Sequence, residues 1–472
     1  MIKGAVEIKE LASSERITNF SEVISGYTGE EAIKEAKRCL QCKNPICISG
    51  CPVGIDIKKF IYQITEKDYK GAYFTIREKN NFPSICGRVC PAEYQCRKAC
   101  VMSKKGLPFA SPQAINIHFL ESFSGDYGVK KNLVAPSHKD KKLSRFKVAV
   151  VGSGPAGLCA AGELARLGIK VVIFESLHWP GGVLRYGIPP FRLPRDILDF
   201  EIDYLKKLGV EIVTNFIIGR VKALEELFSE GFRAVFLGLG AGTPAFLGIP
   251  GENLCNIYSA NEFLTRVNLM SAYKFPEYHT PINIGKNVIV IGGGNTAMDA
   301  ARVALRLQKI NGISPHTTIL YRRTEVEMPA RRLEIDHAKE EGIKFDLLVQ
   351  PQELLGDEQG YVQKIKCLKC SLGEADSSGR KRSVPIEGSD FDVDCDLAII
   401  AIGLKANKVL TSVTPALETD KYGDLVVSPE TMQTSVNRVY AGGDIVGGEG
   451  TVIEAMGMAK KASQAIIDCL SK

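Results

Sequence analysis

Two apolar runs that each end in a glycine-rich turn and enter an alanine-rich stretch, with cysteines crowded ahead of them, predict an α/β protein. Its expected parts are a helical N-terminal domain followed by two Rossmann-like dinucleotide-binding domains. The first run, Val148 to Val151, leads into Gly152-Ser153-Gly154-Pro155-Ala156-Gly157. Gly152 suits the tight turn, Gly154 the approach of backbone to a pyrophosphate, and Gly157 the packing of helix on strand. Glu175, 23 residues beyond Gly152 and behind the apolar run Val171–Phe174, stands where an acid would hydrogen-bond a ribose. The second run, Val288 to Ile291, leads into Gly292-Gly293-Gly294-Asn295-Thr296-Ala297, with Ala297 in place of the third glycine.

A chain of 472 residues forms two to four domains. Its 60 basic and 54 acidic side chains leave +6, with no dense basic stripe, which argues against nucleic acid and leaves room for an acidic protein partner. No signal peptide and no apolar run near the ~18 residues of a membrane span is visible, so a cytoplasmic protein is expected. Fourteen cysteines in such a compartment read as metal ligands or buried thiols, not disulfides.

Residues 1–145 are expected to form a cysteine-dense helical domain with a linker. Cys39, Cys42, Cys47 and Cys51 precede Cys86, Cys90, Cys96 and Cys100. Structural zinc and iron–sulfur clusters compete for such thiolates. The spacing favours two [4Fe-4S] clusters, because Cys47-Ile-Ser-Gly-Cys51-Pro52 and Cys86-Gly-Arg-Val-Cys90-Pro91 repeat the CxxxCP ending of bacterial ferredoxin runs, whose last cysteine serves the other cluster. Residues 29–38, 57–73 and 114–123 have helical composition. The polar run Ser137 to Lys142 marks a boundary.

Residues 146–285 are expected to be the first part of an FAD-binding domain. The stretch Pro180 to Pro194 is rich in Gly and Pro, a stiff loop whose Gly182 and Leu184 are candidate cofactor contacts. Residues 286–402 are expected to bind NADP through Gly292, Gly294, Asn295, Thr296, Ala297 and Gly403 at the end of the strand Leu397–Ile402. The strand Thr317–Tyr321 ends in Arg322-Arg323, not in an acid, and paired guanidiniums suit a 2′-phosphate. The CxxC of Cys367 and Cys370 lies in an alternating, strand-like stretch, and His337 reads as a packed helix residue. Residues 403–472 close the FAD domain: Asp444 follows two glycines, and Thr451 and Val452 open a helical segment whose amides face the flavin. The NADP domain is thus inserted into the FAD domain, a glutathione-reductase-type arrangement.

These residues carry a resemblance over about 25–470. Cys39-Leu-Gln-Cys42, Cys86-Gly-Arg-Val-Cys90-Pro91, Val151-Gly-Ser-Gly-Pro-Ala-Gly157, Tyr186-Gly-Ile-Pro189, Tyr321-Arg-Arg323 with Glu327-Met-Pro-Ala-Arg331, and Ala441-Gly-Gly-Asp444 resemble the small (β) subunit of glutamate synthase and its stand-alone relatives. Those relatives include the large subunit of the NADH-dependent ferredoxin:NADP oxidoreductase, also called the sulfide dehydrogenase α subunit. The N-terminal part of dihydropyrimidine dehydrogenase is similar. The resemblance implies crossed clusters, one on Cys39, Cys42, Cys47 and Cys100, the other on Cys51, Cys90, Cys96 and Glu121, with Cys86 left over. It also implies that hydride from NADPH reaches FAD and that single electrons leave through the clusters to a partner subunit or acceptor, or flow in reverse. An oligomer is compatible with this. Two other readings remain: a zinc-stabilised docking or nucleic-acid module on a flavin scaffold, and an NADPH oxidase or transhydrogenase whose clusters are only structural.

Overall fold

The computed structural model describes residues 4–134, 139–376, 379–448 and 450–472. Ser137 and His138 of the polar run lie outside the described residues. The N-terminal module is helical, as its composition implies. Thr28 closes a capping box with Glu31 over the helix Gly29–Ala36, and Asp56 and Asp68 cap Ile57–Thr65 and Tyr69–Arg77. The stretch 57–73 of helical composition divides between two helices, because Lys67 turns the chain at φ +61° and Asp68 starts a new helix.

Two further helices, Pro83–Val89 and Ile117–Lys130, cross at near contact. A Cβ on Gly87 would lie 2.5 Å from the backbone N of Ser122, and one on Gly125 would lie 2.4 Å from that of Ser84. This glycine-lined crossing brings Glu121, on the second helix, to the cysteines that follow the first.

Two five-stranded parallel sheets follow. In the first, strand order is Val439–Ala441, Ala234–Leu237, Lys147–Val151, Lys170–Phe174, Glu211–Val213; in the second, Ile257–Ser259, Leu397–Ile400, Val288–Ile291, Thr317–Tyr321, Lys344–Leu347. The chain leaves the first sheet after Leu237 through the strand Ala241–Pro244 and returns through Leu404–Ala406, and these two strands pair antiparallel. The second unit is thus an insertion carried on a two-stranded stalk. The sequence placed 257–285 with the first unit. Instead Ile257–Ser259 pairs with Leu397–Ile400, and Phe263, Val267 and Ile284 join the second unit's core. Short, weakly patterned strands take their sheet from long-range pairing, which local sequence does not display. Cys367 and Cys370 lie buried on the antiparallel strand Val362–Ala375, as the alternating pattern implies, and burial pushes the Cys367 thiol up to about 12.

Buried ion pairs lock the three units together. On the helix Asn295–Ile310, Arg302 pairs with Glu334 (2.5 Å) and Glu341 (2.7 Å), and Arg306 pairs with Glu341 (2.6 Å). Arg192, from the Gly/Pro-rich loop, reaches Asp299 (2.6 Å) and Glu334 (2.9 Å), while Arg331 donates to the Arg88 carbonyl of the cysteine module (2.6 Å). Burial pushes the Glu341 carboxyl up, but Arg302 and Arg306 outweigh it and hold it at about 2, below its usual 4.5. Unfolding returns it to the usual value, so its contribution is complete above about pH 4.5 and is lost as pH falls towards 2. Thermal melts should therefore fall steeply across that window. Arg302→Met, which takes one guanidinium from Glu334 and Glu341 and leaves them Arg192 and Arg306, should cost about 1.5–3 kcal/mol in denaturant unfolding at neutral pH.

Candidate cofactor clefts and cysteine centre

Each glycine of the first loop has a distinct steric reason. Gly152 stands at φ +98°, and a Cβ there would meet the Gly238 carbonyl at 2.4 Å; one on Gly157 would meet the Gly152 carbonyl at 1.9 Å. A Cβ on Gly154 would meet nothing within 4 Å. Its missing side chain therefore leaves an open cradle before the helix Pro155–Arg166, where free amides and the positive dipole end suit a pyrophosphate. Pro155 occupies the first turn of that helix, where an N–H is dispensable, and Ala156 is buried beside it.

Around this cradle the expected residues converge unequally. The Glu175 carboxylate, at the end of Lys170–Phe174, accepts the Ser153 amide (2.9 Å), the Ser153 hydroxyl and the Leu177 amide (2.8 Å). The Ser153 hydroxyl in turn accepts the Gly181 amide (3.0 Å), pinning the Gly/Pro-rich loop to the glycine loop. Gly182 lies so close that its Cβ would be 2.6 Å from Gly154 Cα. The Leu184 side chain is fully buried in the core behind this loop. From the far side, Gly443 packs on Ala156, where a Cβ would be 3.1 Å away, and delivers Asp444. Burial pushes that carboxyl up to about 6. Thr451 caps the helix Val452–Ser471 through a capping box with Glu454.

The second cleft repeats the first. Gly292, at φ +147°, has the Ala401 carbonyl 2.2 Å from its would-be Cβ, and Gly293 has the Tyr321 ring at 2.6 Å. Gly294 is open but for Pro329 at 4.0 Å, before the helix Asn295–Ile310. Asn295 Oδ1 accepts the Arg331 amide (2.9 Å), Thr296 is half-buried and Ala297 is fully buried. Gly403 sits on the return stalk, its carbonyl accepting the Ala245 amide (3.0 Å). The two arginines diverge: Arg322 is exposed, whereas Arg323 is buried and pairs with Asp376 at 2.8 Å.

The eight cysteines of the N-terminal module gather in two places. Cys39, Cys42, Cys47 and Cys100 line one pocket at the surface, with Leu40, Pro45, Ile46, Val101 and Met102. Burial and the neighbouring thiols of Cys100, Cys39 and Cys42 push the Cys47 thiol up to about 12. Cys51 is pushed to about 11, by burial and then by Glu121. Cys96 rises through burial and the proximity of Cys51, Glu121 and Cys90. Glu121 is itself buried and raised to about 8, and accepts Asn80 Nδ2 at 2.5 Å.

These crowded acids and thiols are costly to ionise in a bare protein, and a polynuclear cation would neutralise them. Among the described residues, only Glu10, His337 and Glu340 bring three ligand atoms within 4.8 Å of one another. Arg16 already pairs with both of those carboxylates. Cys86 lies against the second group, fully buried, its Sγ 3.7 Å from Met456 Sδ. Sequence reasoning missed Ser153 and Asn80. The first was visible as a hydroxyl inside the glycine loop; for Asn80, 41 residues from Glu121, there was no signal.

Two glycine-loop clefts served by a surface-reaching cysteine centre define an iron–sulfur, dinucleotide-dependent oxidoreductase. Residues 16–133 match the family described as dihydropyrimidine dehydrogenase domain II, 4Fe-4S cluster, and residues 146–463 match pyridine nucleotide-disulphide oxidoreductase. The glutamate synthase [NADPH] small chain of Azospirillum brasilense is 34% identical over 96% of this chain and 92% of its own. The NADPH-Fe(3+) oxidoreductase subunit beta of Geobacter sulfurreducens is 35% identical over 95% of this chain and 67% of its own. FprA of Mycobacterium tuberculosis, solved in complex with NADPH, shares the fold at TM-score 0.58 and 21% identity, over 69% of this chain and 84% of that one. The chain belongs to the pyridine nucleotide-disulphide oxidoreductases and, within them, to the family of the glutamate synthase small chain. It is an FAD- and iron–sulfur-dependent NAD(P)H oxidoreductase. Among the described residues no helix is long and apolar enough to cross a membrane.

Proposed function

We propose that the chain takes hydride from NADPH and passes single electrons through two [4Fe-4S] clusters to a partner subunit. One observation carries this reading: the helix Val452–Ser471 starts at the first cleft and runs into the cysteine centre. Its Met456 touches Cys86, and a Cβ on Gly457 would lie 3.3 Å from the carbonyl of Pro52, which follows Cys51. A single rigid element thus joins the flavin cleft to the buried cysteine group.

The chemistry a bound flavin supplies is the exchange of a two-electron hydride for single electrons. The chain's own residues position and shield. Gly152, Gly154, Pro155, Ala156 and Gly157 cradle the FAD pyrophosphate, Glu175 takes its ribose, and Gly182, Asp444, Thr451 and Val452 close over it. Gly292, Gly294, Asn295, Thr296, Ala297 and Gly403 form the NADP cradle, and Arg322 receives the 2′-phosphate, with Arg323 held behind it by Asp376. Cys39, Cys42, Cys47 and Cys100 bind the outer cluster; Cys51, Cys90, Cys96 and Glu121 bind the inner one.

Two kinds of partner follow from the family: a glutamate-forming large subunit, or a ferredoxin-linked flavin subunit as in the NADH-dependent reduced ferredoxin:NADP oxidoreductases. Anaerobically purified protein should carry about eight irons and one FAD per chain. Bound zinc with iron near zero would overturn the reading.

A further inference from the structure

The Gly/Pro-rich loop touches both cradles. At its start Gly182 lies against the first, where its Cβ would be 2.6 Å from Gly154 Cα. Towards its end Arg192 reaches Asp299 at 2.6 Å, on the helix Asn295–Ile310 that opens behind the second glycine loop. Hydride passes only between rings held in contact, so the middle of this loop, Leu184 to Ile188, borders the gap between the two clefts.

Two side chains hold that middle by its carbonyls. Arg195 donates Nη1 to Leu184 (2.9 Å) and Nη2 to Ile188 (2.8 Å), and Asn268 donates Nδ2 to Tyr186 (3.0 Å) and Gly187 (3.1 Å). Arg195 starts a helix of the first unit, whereas Asn268 comes from the second, in the π-helical turn Thr265–Leu269 beside the core residue Val267. Such turns are rare and recur at functional sites.

The other end of the Asn268 amide is unmatched. The residue is 6% exposed, and its Oδ1 has no hydrogen-bond partner among the described residues. Exchanging its oxygen and nitrogen would aim a carbonyl at two carbonyls, so the orphan is the acceptor. The amides of Tyr186, Gly187 and Ile188 cannot serve it, because they donate to the carbonyls of Gly182 and Val183. A buried acceptor left in this state is costly until a ligand or a water brings a donor.

We propose that Asn268 binds and positions the nicotinamide: its Oδ1 accepts an N–H of the ring's carboxamide, while its Nδ2 holds the loop beside the flavin cleft. The carboxamide stands next to the ring carbon that gives up hydride, so one hydrogen bond sets both the ring's orientation and its place along the loop. Because donor and acceptor share one planar amide, loop and ring are held in a fixed relation. The proposal rests on the assignment of FAD to the first cleft and NADP to the second.

The test uses the full-length, anaerobically purified holoprotein with NADP+ and its oxidised 3-acetylpyridine analogue, in which a methyl replaces the carboxamide nitrogen and no donor remains. Calorimetry reads binding without electron flow, and rapid mixing reads flavin bleaching by NADPH. The unsubstituted protein should bind NADP+ at least about tenfold more tightly than the analogue, as the loss of one buried hydrogen bond requires. In Asn268→Ala the two affinities should come within about twofold of each other. Asn268→Asp keeps an acceptor oxygen but gives up the donor; it should retain the preference for NADP+ and slow flavin bleaching at least about tenfold.

Affinities within about twofold in the unsubstituted protein would overturn the role of Asn268, and that arm needs no variant to fold. So would a preference that Asn268→Ala leaves intact, even with a shifted flavin spectrum, which would give Oδ1 to the flavin ring N–H instead. NADPH that neither binds nor bleaches the flavin of the unsubstituted protein would overturn the assignment of the clefts.

Discussion

Cys100→Ala should lose one of two clusters, about four irons per chain, whereas Cys86→Ala should lose none. By sequence proximity the two residues belong to the same set of four, so equal losses would follow from grouping by proximity. The structure separates them. Cys100 lines the surface pocket with Cys39, Cys42 and Cys47, while Cys86 packs its thiol against Met456 and Asn80 in the core shared with the flavin unit. Cys100→Ala should also abolish NADPH-driven reduction of a protein acceptor while sparing flavin bleaching by NADPH, because the first cleft lies on the far side of the inner group. Iron and sulfide analysis with turnover assays checks both. Loss of iron from Cys86→Ala, or eight irons in Cys100→Ala, would disprove the crossed assignment.

Arg322→Ala should raise the KM for NADPH by about 10- to 100-fold and leave that for NADH within about twofold. A charge-assisted bond to a phosphate contributes about 1.5–3 kcal/mol, which converts to that range. Arg322 is the guanidinium free to turn towards the ligand, since it is exposed just past the strand Thr317–Tyr321. Arg323 is committed to Asp376 (2.8 Å), and its carbonyl accepts the Leu348 amide at 3.2 Å. Arg323→Ala should therefore cost less in NADPH specificity and more in thermal stability than Arg322→Ala. Equal losses for NADPH and NADH in Arg322→Ala would remove the 2′-phosphate assignment.

The parts legible in the sequence were those whose physics is local. A glycine needed for φ +98° at 152, an open position at 154 and an acid at the next strand end all lie within one strand–turn–helix unit, so their spacing betrays them. The crossed cysteines and Glu121 came from resemblance, and the glycine crossing at Gly87 and Gly125 supplies the physical reason that a carboxylate on a later helix reaches them. What stayed hidden was non-local. Ile257–Ser259 found its sheet 141 residues on, and Arg323 found Asp376 across 53 residues. Nothing in the sequence marks Arg302 and Arg306 of Asn295–Ile310 as buried, because no pattern within those 16 residues shows that Glu334 and Glu341 will cover them. The Leu184 side chain is buried in the core, and a Gly/Pro-rich loop displays where the chain bends but not which way its side chains turn.

The central claim is that the flavin cleft feeds the cysteine centre. Anaerobic rapid mixing with NADPH, following flavin and cluster absorbance separately and trapping the clusters for paramagnetic resonance, tests it most directly. Flavin bleaching should come first and cluster reduction second, at a rate that Met456→Ala leaves measurable and Cys51→Ala eliminates for the inner group. Clusters that remain oxidised while the flavin stays reduced would contradict the relay.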